Sequence, residues 1–259
     1  MDVGKEAQGE EKLEIRLEEE WEAADIIEHC NANGIACHVL AQSDLEDLET
    51  HDFLSMPFFC ATEVVQHHLK AAELAEKVVP DTYSQNYAPL FGRKIQRISF
   101  TDLKGLAQTD FPLFFKPASN NKLFDGCVVT DQAHIDEVLE MHDVDKDVAA
   151  TMEVYVCEVV KFACEKRLFV GAGKIYATGH QFGKDDTPLD SAFVDQVAKL
   201  SDGKYCAVDI GYLPASSQWV VVEVNPPFAL DDWGIATATY LQHGINFWRT
   251  EIAPSLKRM

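Results

Sequence analysis

From residue 12 onward the chain alternates between stretches whose apolar positions recur every second residue and stretches where they recur every third or fourth. The opening residues, 1–11, read as a polar tail. "LEIRLE" has period two and predicts a strand. "EEWEAADIIEHCNA" has helical spacing and stops at Gly34, and "IACHVL" predicts a second strand. "SDLEDLE" carries Ser43 as a candidate cap with Glu46 three residues on. "TEVVQHHLKAAELAEK" predicts a longer amphipathic helix closed by Pro80. These segments make a small α/β domain over 12–90, ending in the irregular "PDTYSQNYAPLFGRK", whose Pro, Asn and Gly mark a connection.

The pattern restarts near residue 95 and runs as a second domain over 91–259. It predicts a short helix at "TDLKGLAQ", strands at "PLFFKP" and "GCVVT", and a helix at "DQAHIDEVLEMH". Three strand-like runs follow, "EVYVCEVV", "KRLFVGA" and "KIYATGH", then a helix at "DSAFVDQVAKL". The strands "KYCAVDIGYL" and "WVVVEVN" come next, and a helical stretch "WGIATATYLQHGINFW" closes the chain. Nothing in the sequence repeats.

Composition changes the picture mainly through charge. The 259 residues carry 22 Lys and Arg against 43 Asp and Glu, a formal net charge of −21. Such a chain repels phosphate backbones and anionic membranes, so neither nucleic acid nor a membrane is expected as a partner. The start of the sequence lacks the basic and apolar regions of a signal peptide, which points to a cytoplasmic location. Seven cysteines, none at C-x-x-C spacing and most inside apolar segments, read as reduced, buried thiols and not as a zinc site.

Against that background the acids at the ends of apolar strands stand out. "WVVVEVN" reads as a strand buried on both faces, where an unpaired Glu223 would cost several kcal/mol. Asp209 lies 14 residues earlier on the neighbouring strand, across the polar turn "PASSQ", so an antiparallel hairpin brings the two carboxylates together. With the Asn225 amide oxygen they offer three hard oxygen donors on one surface, the kind of set Mg²⁺ takes when nucleotide phosphates complete its shell. The competing reading makes Asp209 a turn cap and Glu223 half of a structural ion pair.

"DIGYLPASSQWVVVEVNPP" resembles the metal-binding hairpin of the ATP-grasp superfamily, and two other stretches agree with it in order and spacing. "FFKP" is similar to the strand lysine that precedes the phosphate-covering loop, and "EVVKFACEKRLFV" to the interdomain hinge. "EKRLFV", "KLFDG" and the short amino-terminal region look most like the clade named for one arginine and two lysines. The resemblance implies an α+β ATP-grasp fold over about residues 90 to 235, with ATP clasped between two α+β subdomains and a small α/β domain in front. It implies Lys116 on phosphate, Glu158 and the backbone through Val160 on adenine, and Glu165 on the ribose hydroxyls. Asp209, Glu223 and Asn225 would hold Mg²⁺.

The activity so implied is an ADP-forming ligase: ATP phosphorylates a carboxylate to an acylphosphate, and an amine then displaces the phosphate. Both substrates would be small molecules or peptides, the carboxylate coming from an amino acid, a peptide or a protein terminus.

Read by their own chemistry, Lys116 places an ammonium at a sheet edge, and Arg167 shares a strand face with Glu165 and has a planar fork suited to a transferring phosphoryl group. The loop "ASNNKLFDG" has one glycine, so Lys122 is expected to supply charge where a glycine-rich backbone would supply dipoles. Arg93, Lys94 and Arg97 form a basic cluster in an acidic chain, from which one side chain, Lys94 in the expected set, should meet phosphate. "GHQFGKDD" could carry His180 and Lys184 to the substrate, whereas His67 and His68 read as a solvated pair. Two rival functions stand beside the ligase, a nucleotide- or partner-binding module without turnover and a small-molecule kinase.

Overall fold

The computed structural model describes residues 13–19, 23–118, 123–184, 186–228 and 231–257. The chain forms two compact units, Met1–Val78 with Pro227–Met259, and Val79–Pro226. The sequence division at 90/91 therefore differs from the packing at both ends. The segment read as a connection lies in the second unit, and the closing helix lies in the first.

The first unit is built on a parallel three-stranded sheet with order β2-β1-β3, where β1 is Glu14–Glu18, β2 Ala36–Leu40 and β3 Phe58–Phe59. Parallel neighbours need a crossover, and the helix Ala23–Asn33 supplies the one between β1 and β2. β1 is buried on both faces. Ile15 and Leu17 pack as core, while Arg16 donates to the Phe53 carbonyl (2.8 Å) and Glu18 accepts the backbone N–H of Ala61. The closing helix Thr237–Phe247 packs on Ala23–Asn33 and on β3. Its close approach needs Gly244, where a Cβ would stand 2.6 Å from the Phe59 ring.

Three expectations are corrected in this unit. The helix at "SDLEDLE" runs Gln42–Glu46 from Ala41, which offers no side-chain cap, so Ser43 does not play that part. The long helix is two, Thr62–Ala71 and Ala75–Val78, parted where Glu73 takes a left-handed φ of 54°. His68 is not solvated: it is fully buried, stacked on Phe53 at 4.0 Å, with Nε2 2.9 Å from the Leu45 carbonyl.

The second unit holds two antiparallel four-stranded sheets. One has the order β4-β7-β5-β6, with β4 Ile95–Ser99, β5 Leu113–Pro117, β6 Cys127–Val129 and β7 Glu153–Glu158. Its core joins Leu113, Phe115, Val154 and Val156 to Ile135 and Leu139 of the helix Gln132–Met141, which Asp131 caps by accepting from His134 N–H.

The other sheet has the order β11-β10-β8-β9, with β8 Cys164–Gly171, β9 Lys174–Gly183, β10 Cys206–Leu213 and β11 Gln218–Asn225. One face packs Leu168, Val170, Val208, Ile210, Val221 and Val224 against Phe193 and Val197 of the helix Ser191–Leu200. The segment 79–94 joins that core through Tyr83, Tyr87 and Phe91, spaced four apart, so it is packed structure and not a bare connection. Asp81 anchors it by accepting from Tyr155 Oη (2.5 Å) and from the Tyr83 backbone (3.1 Å). All seven cysteines are free thiols, and five of them are buried.

Candidate active site

Because side chains alternate along a strand, the residues between the core positions of β8, β10 and β11 point to the opposite face. The register sets three of them side by side: Arg167 is the partner of Asp209, and Asp209 is the partner of Glu223. Arg167 Nε and Nη2 donate to the two oxygens of Asp209 at 2.7 and 2.8 Å, a bidentate pair in which both side chains are buried. Asn225 Nδ2 donates to Asp209 Oδ2 at 2.8 Å and to Glu223 Oε1 at 3.3 Å. From β5 of the other sheet, Lys116 Nζ reaches Glu223 Oε2 at 2.8 Å. This compensates the acid at the end of the valine run.

One step along the same face the register aligns Gly211, Glu165 and Phe182. A Cβ at Gly211 would come within 2.3 Å of the Phe162 ring, so the missing side chain is what lets that ring lie against β10. Above this face opens a cleft of about 400 Å³ whose walls include Tyr83, Arg93, Lys116, Phe162, Glu165 and Glu223. Gly126 lines it too, seated where a Cβ would strike the Phe114 ring at 2.3 Å. A larger cavity of about 620 Å³ lies against Phe193, Tyr212 and Trp219, but among the described residues Asp190 is the one charged side chain lining it. The smaller cleft is the more charged of the two, lined by Arg93 and Lys116 and by Asp125, Glu158, Glu165 and Glu223.

The expected residues fall as follows. Lys116, Glu158, Val160, Glu165 and Glu223 line the cleft. Arg167, Asp209 and Asn225 form the ionic row beside it. Lys94 presents an exposed side chain, and its backbone N–H donates to Glu158 Oε1 at 2.9 Å. Lys122 lies outside the described residues.

Of the other two members of the basic cluster, Arg97 is engaged by Glu153 (Nε to Oε2 2.9 Å), and Arg93 is the one that enters the cleft. The hairpin register slips beside Asp209, leaving Val222 as an extra residue. Arg93 donates to its carbonyl at 2.8 Å and to that of Val221 at 3.0 Å, with its guanidinium near the Tyr83 and Phe162 rings. No sequence signal announced that bulge. Tyr83 was also missed, although the spacing of Tyr83, Tyr87 and Phe91 marked a buried stripe.

Electrostatics follow from this crowding. Burial pushes the Glu165 carboxyl up to about 7, assisted by the charges of Asp209 and Glu223 and opposed by Arg93. Burial also raises Asp209, against the two bonds from Arg167. Burial pushes Glu223 up, but Lys116, Asn225 and Arg167 together bring it below the usual range. Two carboxylates and an amide in adjacent register are a donor set that fits a hard divalent ion. Among the described residues no group of three or more His, Cys, Asp or Glu side chains is gathered for a metal.

Two antiparallel sheets enclosing a cleft, with a lysine from one facing an acidic hairpin on the other, define an ATP-grasp domain. The chain belongs to an ATP-grasp domain family, family 2 of the clade named for one arginine and two lysines, whose model matches residues 90–243. Its fold is similar to that of the D-cycloserine synthetase DcsG (TM-score 0.59, 11% identity, covering 91% of this chain and 99% of that one). It is similar as well to the ATP-grasp ligase PsnB complexed with minimal precursor (0.55, 8%, 91% and 99%) and to the L-amino acid ligase from Bacillus licheniformis (0.54, 12%, 95% and 75%). At these identities the likeness shows the fold alone. No curated protein matches the sequence.

Proposed function

We propose that this protein is an ATP-dependent carboxylate–amine ligase that forms ADP through an acylphosphate. The observation that carries the reading is the convergence of Lys116, Arg167, Asp209, Glu223 and Asn225 at one cleft. In this reading the hinge from Glu158 to Val160 and the Phe162 ring hold adenine, and Glu165 takes the ribose hydroxyls. Asp209, Glu223 and Asn225 would hold Mg²⁺, which would supply positive charge against the phosphates. Lys116 and Arg167 stabilise the phosphoryl group as it passes to the carboxylate, and holding the two substrates together removes most of the entropic barrier to the second step.

The ligases of similar fold named above include one complexed with a precursor and one acting on L-amino acids, which supports a peptide or amino-acid carboxylate here. The net charge of −21 argues against nucleic acid. Seven free thiols support a cytoplasmic setting. Among the described residues no helix is long and apolar enough to cross a membrane.

The test is ADP release measured with a panel of carboxylates and amines. Release that needs both substrates supports a ligase. Release that needs a carboxylate alone indicates a kinase, and no release with any pair indicates a binding module.

A further inference from the structure

In the ionic row all four oxygens of the two carboxylates already accept from a protein donor. Asp209 Oδ1 takes Arg167 Nε, and Oδ2 takes Arg167 Nη2 and Asn225 Nδ2. Glu223 Oε1 takes Asn225 Nδ2, and Oε2 takes Lys116 Nζ. Two carboxylates face two cations, so the formal charges cancel. Mg²⁺ sheds its water reluctantly and is drawn by uncompensated negative charge, which this arrangement does not offer.

The two cations differ in how easily they leave. Arg167 holds Asp209 through two parallel bonds, and its side chain is 9% exposed. Lys116 holds Glu223 through a single bond, is 20% exposed, and comes from the opposite sheet on a flexible stem. An arriving triphosphate offers the ammonium a stronger anionic partner than Glu223 does, whereas it cannot displace the fork on Asp209 as readily.

We propose that Lys116 serves as a placeholder cation that closes the metal position to free divalent ions, so that metal enters only together with nucleotide. When the phosphates draw Lys116 away, the row gains a net negative charge at the moment a metal arriving with the nucleotide would need it. Asn225 completes the exchange by rotating its amide, turning the oxygen where its Nδ2 now donates. The inference rests on the nucleotide-site reading above and adds an order of events to it.

Mn²⁺ without nucleotide is the probe, followed by the loss of its free electron paramagnetic resonance signal, on wild type, Lys116→Gln and Lys116→Arg. Labelled ATP with Mg²⁺ is measured on wild type in parallel by equilibrium dialysis. The expected result is no saturable Mn²⁺ binding at micromolar concentration by wild type or Lys116→Arg, with binding tightened about tenfold or more in Lys116→Gln, since ligand charge sets such affinities over decades. Saturable micromolar binding by wild type, or equal binding by wild type and Lys116→Gln, overturns the placeholder role alone, provided that ATP binds. The first of these needs no variant to fold. Failure of ATP to bind wild type overturns the nucleotide site, and this inference with it.

Discussion

Two regions of this protein bury charge, and they do it differently. In β1 of the first unit, Arg16 is satisfied by the carbonyl of Phe53 and Glu18 by the N–H of Ala61. In β8, β10 and β11 of the second unit, Arg167, Asp209, Glu223 and Lys116 are satisfied chiefly by one another. Backbone groups are fixed by the fold and cannot be exchanged for a ligand, so the first arrangement can only stabilise. Side-chain partners can be exchanged, so in the proposed reading the second would trade an internal ion pair for phosphate and metal. A buried charge is thus a weak sign of a site until its partners are known.

Four changes would separate the two arrangements. The largest effect is expected at Lys116→Ala. It should lower ATP binding or ADP formation by roughly 10²–10³, the scale of losing one preorganised charge partner. An unchanged nucleotide affinity and rate would remove Lys116 from the site.

Arg16→Met should act on the other side of the comparison. It leaves the Phe53 carbonyl without its donor and should cost about 1–3 kcal/mol in chemical denaturation. ADP release per folded molecule should stay at the wild-type level. A loss of turnover with full stability would give Arg16 a part in chemistry.

Gly211→Ala is expected to have a smaller effect. The new Cβ meets the Phe162 ring at 2.3 Å and pushes it toward the cleft. ATP affinity should fall by about tenfold, near the low end of what overpacking costs. Wild-type ATP affinity would show that the ring gives way without narrowing the nucleotide's space.

The smallest effect concerns pH. Glu165 titrates near 7 in the fold against an ordinary value of 4.5, facing Asp209 and Glu223 as like charges and Arg93 as an opposing one. Between those two values the folded chain holds more protons than the unfolded one, so this group lowers stability as pH rises from about 4.5 to 7 and adds no further change above that. Glu165→Gln should flatten that limb in urea denaturation at several pH values. A limb as steep as in wild type would assign it to other groups.

Much of the second unit was legible because its chemistry sits on strong patterns. A valine run cannot end in Glu223 without compensation, and the hairpin spacing named Asp209 and Asn225 as its companions. Lys116 was visible as the charged end of an aromatic strand.

What was missed depended on contacts that no local pattern records. β4 contains Gln96 and Arg97, both exposed, so no alternation marked it as a strand. β3 has two residues, too few for a period. The helix break at Glu73 has no glycine to announce its positive φ. Arg93 reaches the cleft because a bulge frees the Val222 carbonyl, a feature of strand pairing and not of sequence. His68 looked solvated beside His67, yet the stacking on Phe53 buries it.

The central claim is that Glu223 is held by Lys116 in exchangeable fashion and serves metal and nucleotide. One variant addresses it directly, Glu223→Gln, measured by chemical denaturation without metal and by ADP release with Mg²⁺. The amide can still accept from Lys116, but the charge that Lys116 stabilises is lost, so stability should fall while Mg²⁺-dependent turnover falls by about 10²–10³. If Glu223 were purely structural, the same loss of stability would leave Mg²⁺-dependent ADP release per folded molecule unchanged. A variant whose folded fraction keeps full Mg²⁺-dependent ADP release would contradict the account.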